Sequence, residues 1–267
     1  RDDVESRGLG DVYKRQTNVI SGLLGYAVNL QGSEIGAFVE MGHGTYDTKT
    51  TVTVPVGETK GDGKHNYVGF GVYGNYATPI DWLHVTGYVK GGWLRNEFSA
   101  PIAGVSVDFD RTSNYWGAHL GMYGEFQAAG KIKNRTFLNY FYDGRESESY
   151  SASGSSDVAG ADFHFNSLNS HRAQLGSVFE YAYTSALRPY AALTYEYAFK
   201  ADARGRATDQ FGDLALNGTD LEGSTGIVSL GWTYQNEAKR FEFDLGVNGY
   251  TGKRQGVSAQ LQAAWKF

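Results

Sequence analysis

The sequence predicts an all-β protein, a transmembrane antiparallel up-and-down β-barrel, and three observations lead to this fold class. Apolar and polar residues alternate along many segments, aromatic residues are abundant despite a low hydropathy, and the connections alternate between short and long. Aromatic residues make up 15% of the 267-residue chain, yet the mean hydropathy is −0.42. A barrel in a bilayer reconciles the two values, because every second residue of a strand points to a polar lumen. A soluble β-sandwich has a similar composition, so composition alone leaves both folds open.

The alternation defines eleven candidate strands. In the second of them, Ile35, Ala37 and Val39 share one face, whereas Glu34 and Glu40 lie on the other. A period of two residues is typical of a strand with one apolar face. The eleven segments lie near residues 18–29, 34–46, 65–77, 82–98, 113–126, 132–143, 163–183, 189–200, 222–234, 240–251 and 257–267.

The connections between these segments differ in length in a regular way. The short ones lie at 30–33, 78–81, 127–131, 184–188 and 235–239, and the long ones at 47–64, 99–112, 144–162 and 201–221. Only the last connection, GKRQG at 252–256, breaks the alternation. Short turns at one end and long loops at the other are typical of bacterial outer-membrane barrels. With the short turns in the periplasm, the C-terminus is predicted to be periplasmic too.

The amino end and the strand count belong to one hypothesis. Single-chain bacterial barrels have an even number of strands, so eleven visible strands predict a twelfth before the first. Residues 1–16 lack periodicity, and DVYKRQ looks like a translated sequencing adapter. We therefore expect 1–16 to be a disordered, non-native leader and 17–267 to be the barrel domain. A gap or a strained closure is expected near residues 18–29.

Charge and cysteine content exclude several classes of partner and site. The net charge of −5 argues against nucleic acid as the main partner. The chain has no cysteine, which excludes thiolate metal sites and disulfide bonds. No pattern predicts a metal or another cofactor.

Five stretches carry a resemblance to a known family. They are IGAFVEMGHGTYDT (35–48), NYWGAHLGMYGEF (114–126), SHRAQLGSVFEY (170–181), LRPYAALTYEYAF (187–199) and FDLGVNGYTGKRQGVSAQLQAAWKF (243–267). Because of these stretches, the chain resembles the C-terminal translocator domain of autotransporters, the type V secretion barrel of Gram-negative bacteria. The resemblance extends from about Asn18 to the end of the chain. The resemblance implies a twelve-stranded outer-membrane barrel that anchors an N-terminal passenger and exports it to the cell surface, with a linker helix in the pore.

The resemblance also assigns roles at the carboxyl end. The last strand with its final aromatic residue resembles the signal that the barrel-assembly machinery reads, which gives Trp265 and Phe267 this role. A lipid-facing strand that ends in the aromatic girdle is the alternative. The extracellular turn Gly252, Lys253 and Arg254 matches the family motif, although a solvated turn has the same composition. The implied partners are the lipid bilayer, the barrel-assembly machinery and the protein's own passenger with its linker helix.

Strand parity predicts which charged residues face the lumen. Two interpretations stay open for them: a hydrated lumen that holds the linker helix, or charge pairs that brace a small barrel. Buried charges need partners in either case. The predicted residues are Glu40, Lys90, Glu125, Glu180, Glu196, Arg240, Glu242, Asp244 and Lys266.

Two other function classes are also considered. A stand-alone twelve-stranded channel or porin-like barrel would use the same lumen charges to select solutes. An outer-membrane hydrolase would need a catalytic constellation, and Ser170 and His171 cannot form one because adjacent strand residues face opposite sides. His43, His65 and Asp62 are the remaining candidates, since the prediction places them near the loop end of neighbouring strands. We expect no enzyme activity.

Overall fold

The computed structural model describes residues 12–53, 56–102, 105–151, 162–200, 202–209, 212–220, 222–236 and 238–266. Fifteen strands lie in these ranges, and eleven of them form one antiparallel sheet. No helix in this part of the chain is long and apolar enough to cross a membrane. The strands are β1 (Val12–Leu30), β2 (Ser33–Thr53), β3 (Val56–Ala77), β4 (Leu83–Ile102), β5 (Val105–Ala129), β6 (Ile132–Arg145), β7 (Glu148–Ser151), β8 (Asp162–Phe165), β9 (Leu168–Tyr181), β10 (Leu187–Lys200), β11 (Asp202–Asp209), β12 (Gly212–Asp220), β13 (Gly223–Gln235), β14 (Phe241–Gly252) and β15 (Gly256–Trp265).

The large sheet has the order β1-β2-β3-β4-β5-β6-β9-β10-β13-β14-β15. Its strands correspond to the eleven that alternation predicts, so the up-and-down prediction is confirmed. Among the described residues β1 pairs only with β2 and β15 only with β14, and the sheet is open between these two edges. We call the end of the sheet with the short connections the turn end and the opposite end the loop end.

The segments predicted as long loops are largely β-structure, which corrects that part of the prediction. β2 and β3 continue to Thr53 and Val56, and β4 and β5 continue to Ile102 and Val105. The other two segments contribute to a four-stranded sheet of order β12-β11-β8-β7. Stretches such as TKTTVT (48–53) are rich in β-branched residues, and pairing satisfies their backbone hydrogen bonds.

Two predicted boundaries also differ. The segment predicted as one strand at 163–183 is divided, because β8 pairs in the small sheet whereas β9 pairs with β6 and β10. The first strand was predicted near 18–29, whereas β1 covers Val12–Leu30, and 12–16 pair with 47–51 of β2. The division into a non-native leader at 1–16 and a barrel domain at 17–267 stays a prediction.

The large sheet curls toward one face. Glu40 on β2 and Tyr115 on β5 are three strand intervals apart, about 14 Å in a flat sheet. Their side-chain oxygens nevertheless lie 2.7 Å apart. Between them, rings fit over glycines: a Cβ on Gly71 would lie 2.5 Å from the Phe38 ring. We call this side the concave face and the opposite side the convex face.

Burial is inverted relative to a water-soluble domain. The buried hydrophobic residues of the described chain are few and lie on the concave face, namely Phe38, Tyr46, Ala192, Ala198 and Ile227. On the convex face large apolar residues are exposed, for example Leu120 at 64% and Leu193 at 65%. An apolar surface of this extent is typical of a protein that faces lipid.

Candidate functional site

The concave face carries the charged residues, and its first cluster surrounds Glu40. Only 8% of this residue is exposed. Lys90 Nζ lies 3.1 Å from a Glu40 carboxylate oxygen, and the Tyr115 hydroxyl donates to the same carboxylate. Both partners come from other strands, so the cluster ties β2, β4 and β5 together. The structure thus brings two of the predicted charges, Glu40 and Lys90, into contact.

A second cluster surrounds Glu196 on β10, a residue that is 4% exposed. Gln174 Nε2 donates to Glu196 Oε2 at 2.7 Å, and Arg172 Nη1 lies 3.5 Å from the same oxygen. Arg254 Nη2 lies 3.2 Å from Glu196 Oε1. Arg172 continues to Asp143 on β6 at 2.8 Å. The two carboxylates and two guanidinium groups therefore balance in charge.

Three further predicted residues, Glu180, Glu242 and Asp244, lie closer to the turn end. Arg188 lies between Glu180 and Glu242, with N···O distances of 3.5 and 3.7 Å. Asp244 accepts hydrogen bonds from Thr233 and Tyr190. The latter contact crosses two strand intervals, so the curl extends to this side of the sheet.

The remaining predicted residues are more exposed. Glu125 pairs with Arg135 at 3.0 Å, and about half of each side chain is exposed. Arg240 and Lys266 lie just beyond strand ends at the turn end, and both are exposed. Sequence reasoning did not identify Arg172, Asp143 and Arg188 as members of the clusters. Arg172 shares the parity of Glu180 in its predicted strand, whereas Asp143 ends a strand of ambiguous alternation and Arg188 lies in a predicted turn. Only the curl shows which charges meet.

The convex face carries an apolar band. On β4 the outward residues Leu83, Val85, Val89 and Trp93 precede the first outward charge, Arg95. A tilted strand that crosses the hydrocarbon core needs about 9–11 residues, which is the length from Leu83 to Trp93. Exposed aromatic side chains line the turn end of the band: Trp82, Phe126, Tyr181, Tyr183, Tyr234 and Trp265.

The C-terminal residues predicted as an assembly signal fall partly in this row. Trp265 is 61% exposed and its ring lies 5.8 Å from that of Phe241. Phe267 lies outside the described residues. The geometry of Trp265 fits an aromatic girdle, and the signal role stays a prediction.

The histidines do not assemble the hydrolase site that was considered. β2 pairs His43 with Asn66 and Gly44 with His65, so His43 and His65 face opposite sides of the sheet. His43 Nδ1 lies 2.7 Å from Asn66 Oδ1, whereas the His65 ring stacks on Tyr46. In the described part of the chain, no group of three His, Asp or Glu side chains is placed to hold a metal ion.

A cleft of about 620 Å³ lies on the outer side of the loop end. It is lined by charged residues of β2 to β5, beyond the apolar band. Arg95 Nε donates to Asp110 Oδ1 at 2.9 Å, and this hydrogen bond lowers the pKa of Asp110. Because both side chains are exposed, water screens the pair strongly.

Comparisons with known proteins give both a family and structural neighbours. A family model described as the autotransporter beta-domain matches residues 1–248. No curated protein matches the chain significantly. The transport unit of the autotransporter AIDA-I from Escherichia coli has a similar fold, with a TM-score of 0.67 and 12% identity over 100% of this chain and 93% of that one.

Two other solved structures have similar folds. The translocator domain of the autotransporter NalP from Neisseria meningitidis aligns with a TM-score of 0.70 and 12% identity over 95% of this chain and 82% of that one. The toluene transporter TodX of Pseudomonas putida aligns with a TM-score of 0.57 and 10% identity over 96% of this chain and 78% of that one. At such identities the likeness establishes the fold alone, and the family rests on the family model.

Proposed function

The chain belongs to the autotransporter β-domain family, and on that premise we propose that its concave face holds the protein's own passenger segment during export to the cell surface. Domains of this family are the outer-membrane translocator barrels of type V secretion. The observation that carries the proposal is the separation of the two faces. An apolar convex band faces lipid, and a polar concave face provides a surface along which a hydrated polypeptide passes.

The charge clusters support this role. Glu40 with Lys90 forms a neutral pair, and Glu196 and Asp143 are balanced by two arginines. A polar wall with balanced charges lets a passing chain stay hydrated. Because each charge is paired, the wall has no strong net charge that would bind the chain tightly. We propose that all nine residues predicted from parity face this lumen. The same ion pairs then both stabilise the sheet and line the surface along which the passenger moves.

Membrane orientation and assembly are part of the same proposal. We place the turn end and the C-terminus in the periplasm and the extended hairpins outside the cell. Trp265 then lies in the periplasmic girdle, and the barrel-assembly machinery reads it together with the terminal Phe267. No step of this function requires a cofactor or a catalytic group, so we propose that the domain transports without enzyme activity.

The assembly role predicts a specific loss. Phe267→Ala should lower the amount of heat-modifiable barrel in outer-membrane fractions several-fold, because the terminal aromatic residue is part of the recognised segment. Leu261→Ala is the matched control, since it removes an exposed apolar side chain from the convex face of the same strand. Equal assembly of both variants with the parent would contradict the signal role.

The passenger role is tested by obstructing the concave face. Ser229 and Leu230 are adjacent in the middle of β13 and face the concave and convex sides, respectively. With an epitope-tagged segment fused upstream, Ser229→Trp should lower protease-accessible epitope on intact cells several-fold, whereas Leu230→Trp should not. The same epitope exposure in both variants would contradict the passenger path. A parent protein that leaves the epitope inside yet conducts ions would support a stand-alone channel instead.

A further inference from the structure

The turn between β14 and β15 bends over the concave face. Two backbone N–H groups of the turn bond to the start of β13: Lys253 N donates to Ser224 O at 2.9 Å and Arg254 N to Thr225 Oγ1 at 3.2 Å. Gly252 has a φ of 115°, and a Cβ there would lie 2.5 Å from Ser224 O. Because L side chains rarely adopt such a φ, glycine is needed for this inward bend.

The bend carries the Arg254 guanidinium across the face to Glu196. β10, β13 and β14 are consecutive neighbours in the sheet, so this contact spans two strand intervals. The guanidinium also lies 4.4 Å from the centre of the Tyr250 ring. A carboxylate on one side and an aromatic face on the other form a good site for a guanidinium group.

The two ends of this ion pair differ in solvent access. The Glu196 side chain is 5% exposed, and the structure gives its Oε1 atom Arg254 as its charged partner, whereas Oε2 is held by Gln174 and Arg172. The Arg254 side chain is 45% exposed. On release the guanidinium regains water at once, and Glu196 keeps two partners. The pair therefore holds the turn firmly, because opening it leaves the buried Glu196 carboxylate with only part of its charge compensated, whereas an exposed pair would lose little.

We propose that Arg254 is a latch: its ion pair with Glu196 holds the β14–β15 turn over the concave face, and breaking this pair opens the mouth of the sheet at the loop end. The latch also ties the edge strand β15 to β10. It therefore restrains the free edge of the sheet as well as the opening.

The latch is tested by a distance measurement in the membrane-inserted protein. The chain has no cysteine, so Gln255→Cys and Thr112→Cys provide two unique sites for spin labels, both exposed at the loop end. Pulsed electron paramagnetic resonance then reports the distance from the turn to β5. Arg254→Gln and Glu196→Gln should each broaden the distribution and lengthen it by about one interstrand spacing, about 5 Å.

Lys239→Gln is the matched control, because it removes one exposed positive charge just before the other end of β14 and leaves Arg254 and Glu196 in place. It should retain the parent distribution. The latch is contradicted if Arg254→Gln and Glu196→Gln keep the parent distance, or if Lys239→Gln moves the turn as much as they do. Heat-modifiable migration confirms that each variant is folded, and no passenger is needed, so the result is independent of the export test.

Discussion

At the residue scale, the concave face shows why buried carboxylates persist in this sheet. Glu40 and Glu196 each have charged and neutral donors around them, and these donors come from other strands or, for Arg254, from the β14–β15 turn. Such a carboxylate is costly when it loses a partner, because the remaining charge stays buried. An exposed pair such as Arg95 with Asp110 has no such penalty, since water replaces the lost partner.

The contrast predicts different effects of two substitutions on β4. Lys90→Met should lower the free energy of unfolding by about 3 kcal/mol, because among the described residues it leaves Glu40 the Tyr115 hydroxyl as its one side-chain donor. Arg95→Met should leave stability close to that of the parent. Urea unfolding in detergent or vesicles, followed by tryptophan fluorescence, measures both. A loss for Arg95→Met as large as that for Lys90→Met would contradict the bracing role.

Sequence parity identified the face of Glu40 and Lys90 but not their contact with Tyr115. Parity depends only on the two-residue period of a strand, which is local. A contact across three strands depends on how strongly the sheet curls, and glycines such as Gly71 permit that curl where rings fill their place. Arg254 was likewise predicted as part of a turn, whereas its contact with Glu196 requires the inward bend at Gly252.

At the scale of the element, the strands obey the alternation that predicts them wherever one face is apolar. β10, β13 and β14 follow it and were predicted to within two residues of their observed bounds. The hairpin extensions and the small sheet were missed because the segments that contain them are rich in Ser, Thr, Gly and Asp. In such segments Ser, Thr, Gly and Asp conceal the period of two, and loop and strand compositions become indistinguishable.

Close packing of rings over glycine predicts an effect within a single strand. Gly71→Ala should destabilise the barrel by about 1–3 kcal/mol, because the new Cβ overpacks against the Phe38 ring and the Val89 carbonyl oxygen. Gly74→Ala is the control on β3, since its Cβ would meet only the Glu34 carbonyl oxygen at 3.7 Å. Urea midpoints of the two variants give the comparison. Equal midpoints would mean that the sheet relaxes around Gly71 without cost.

At the scale of the whole molecule, the protein is organised inside out. Its polar side chains pair on the concave face, and its large apolar side chains cover the convex face. Composition could not distinguish this arrangement from a sandwich, because both alternate along each strand. The regular difference between short turns and long connections does distinguish the barrel from a sandwich, since it reflects the two different environments at the ends of a membrane barrel.

The most direct test of the account compares arginine at two adjacent positions of β13. Leu230→Arg places a charge on the convex face near the middle of the apolar band, and Ser229→Arg places it on the concave face. For folding into lipid vesicles, Leu230→Arg should cost about 2–4 kcal/mol, as expected for arginine at the bilayer midplane. Ser229→Arg should cost much less, because the concave face is hydrated. If Leu230→Arg folds as well as the parent, or if Ser229→Arg is the more harmful change, the convex face does not face lipid and the translocator account is wrong.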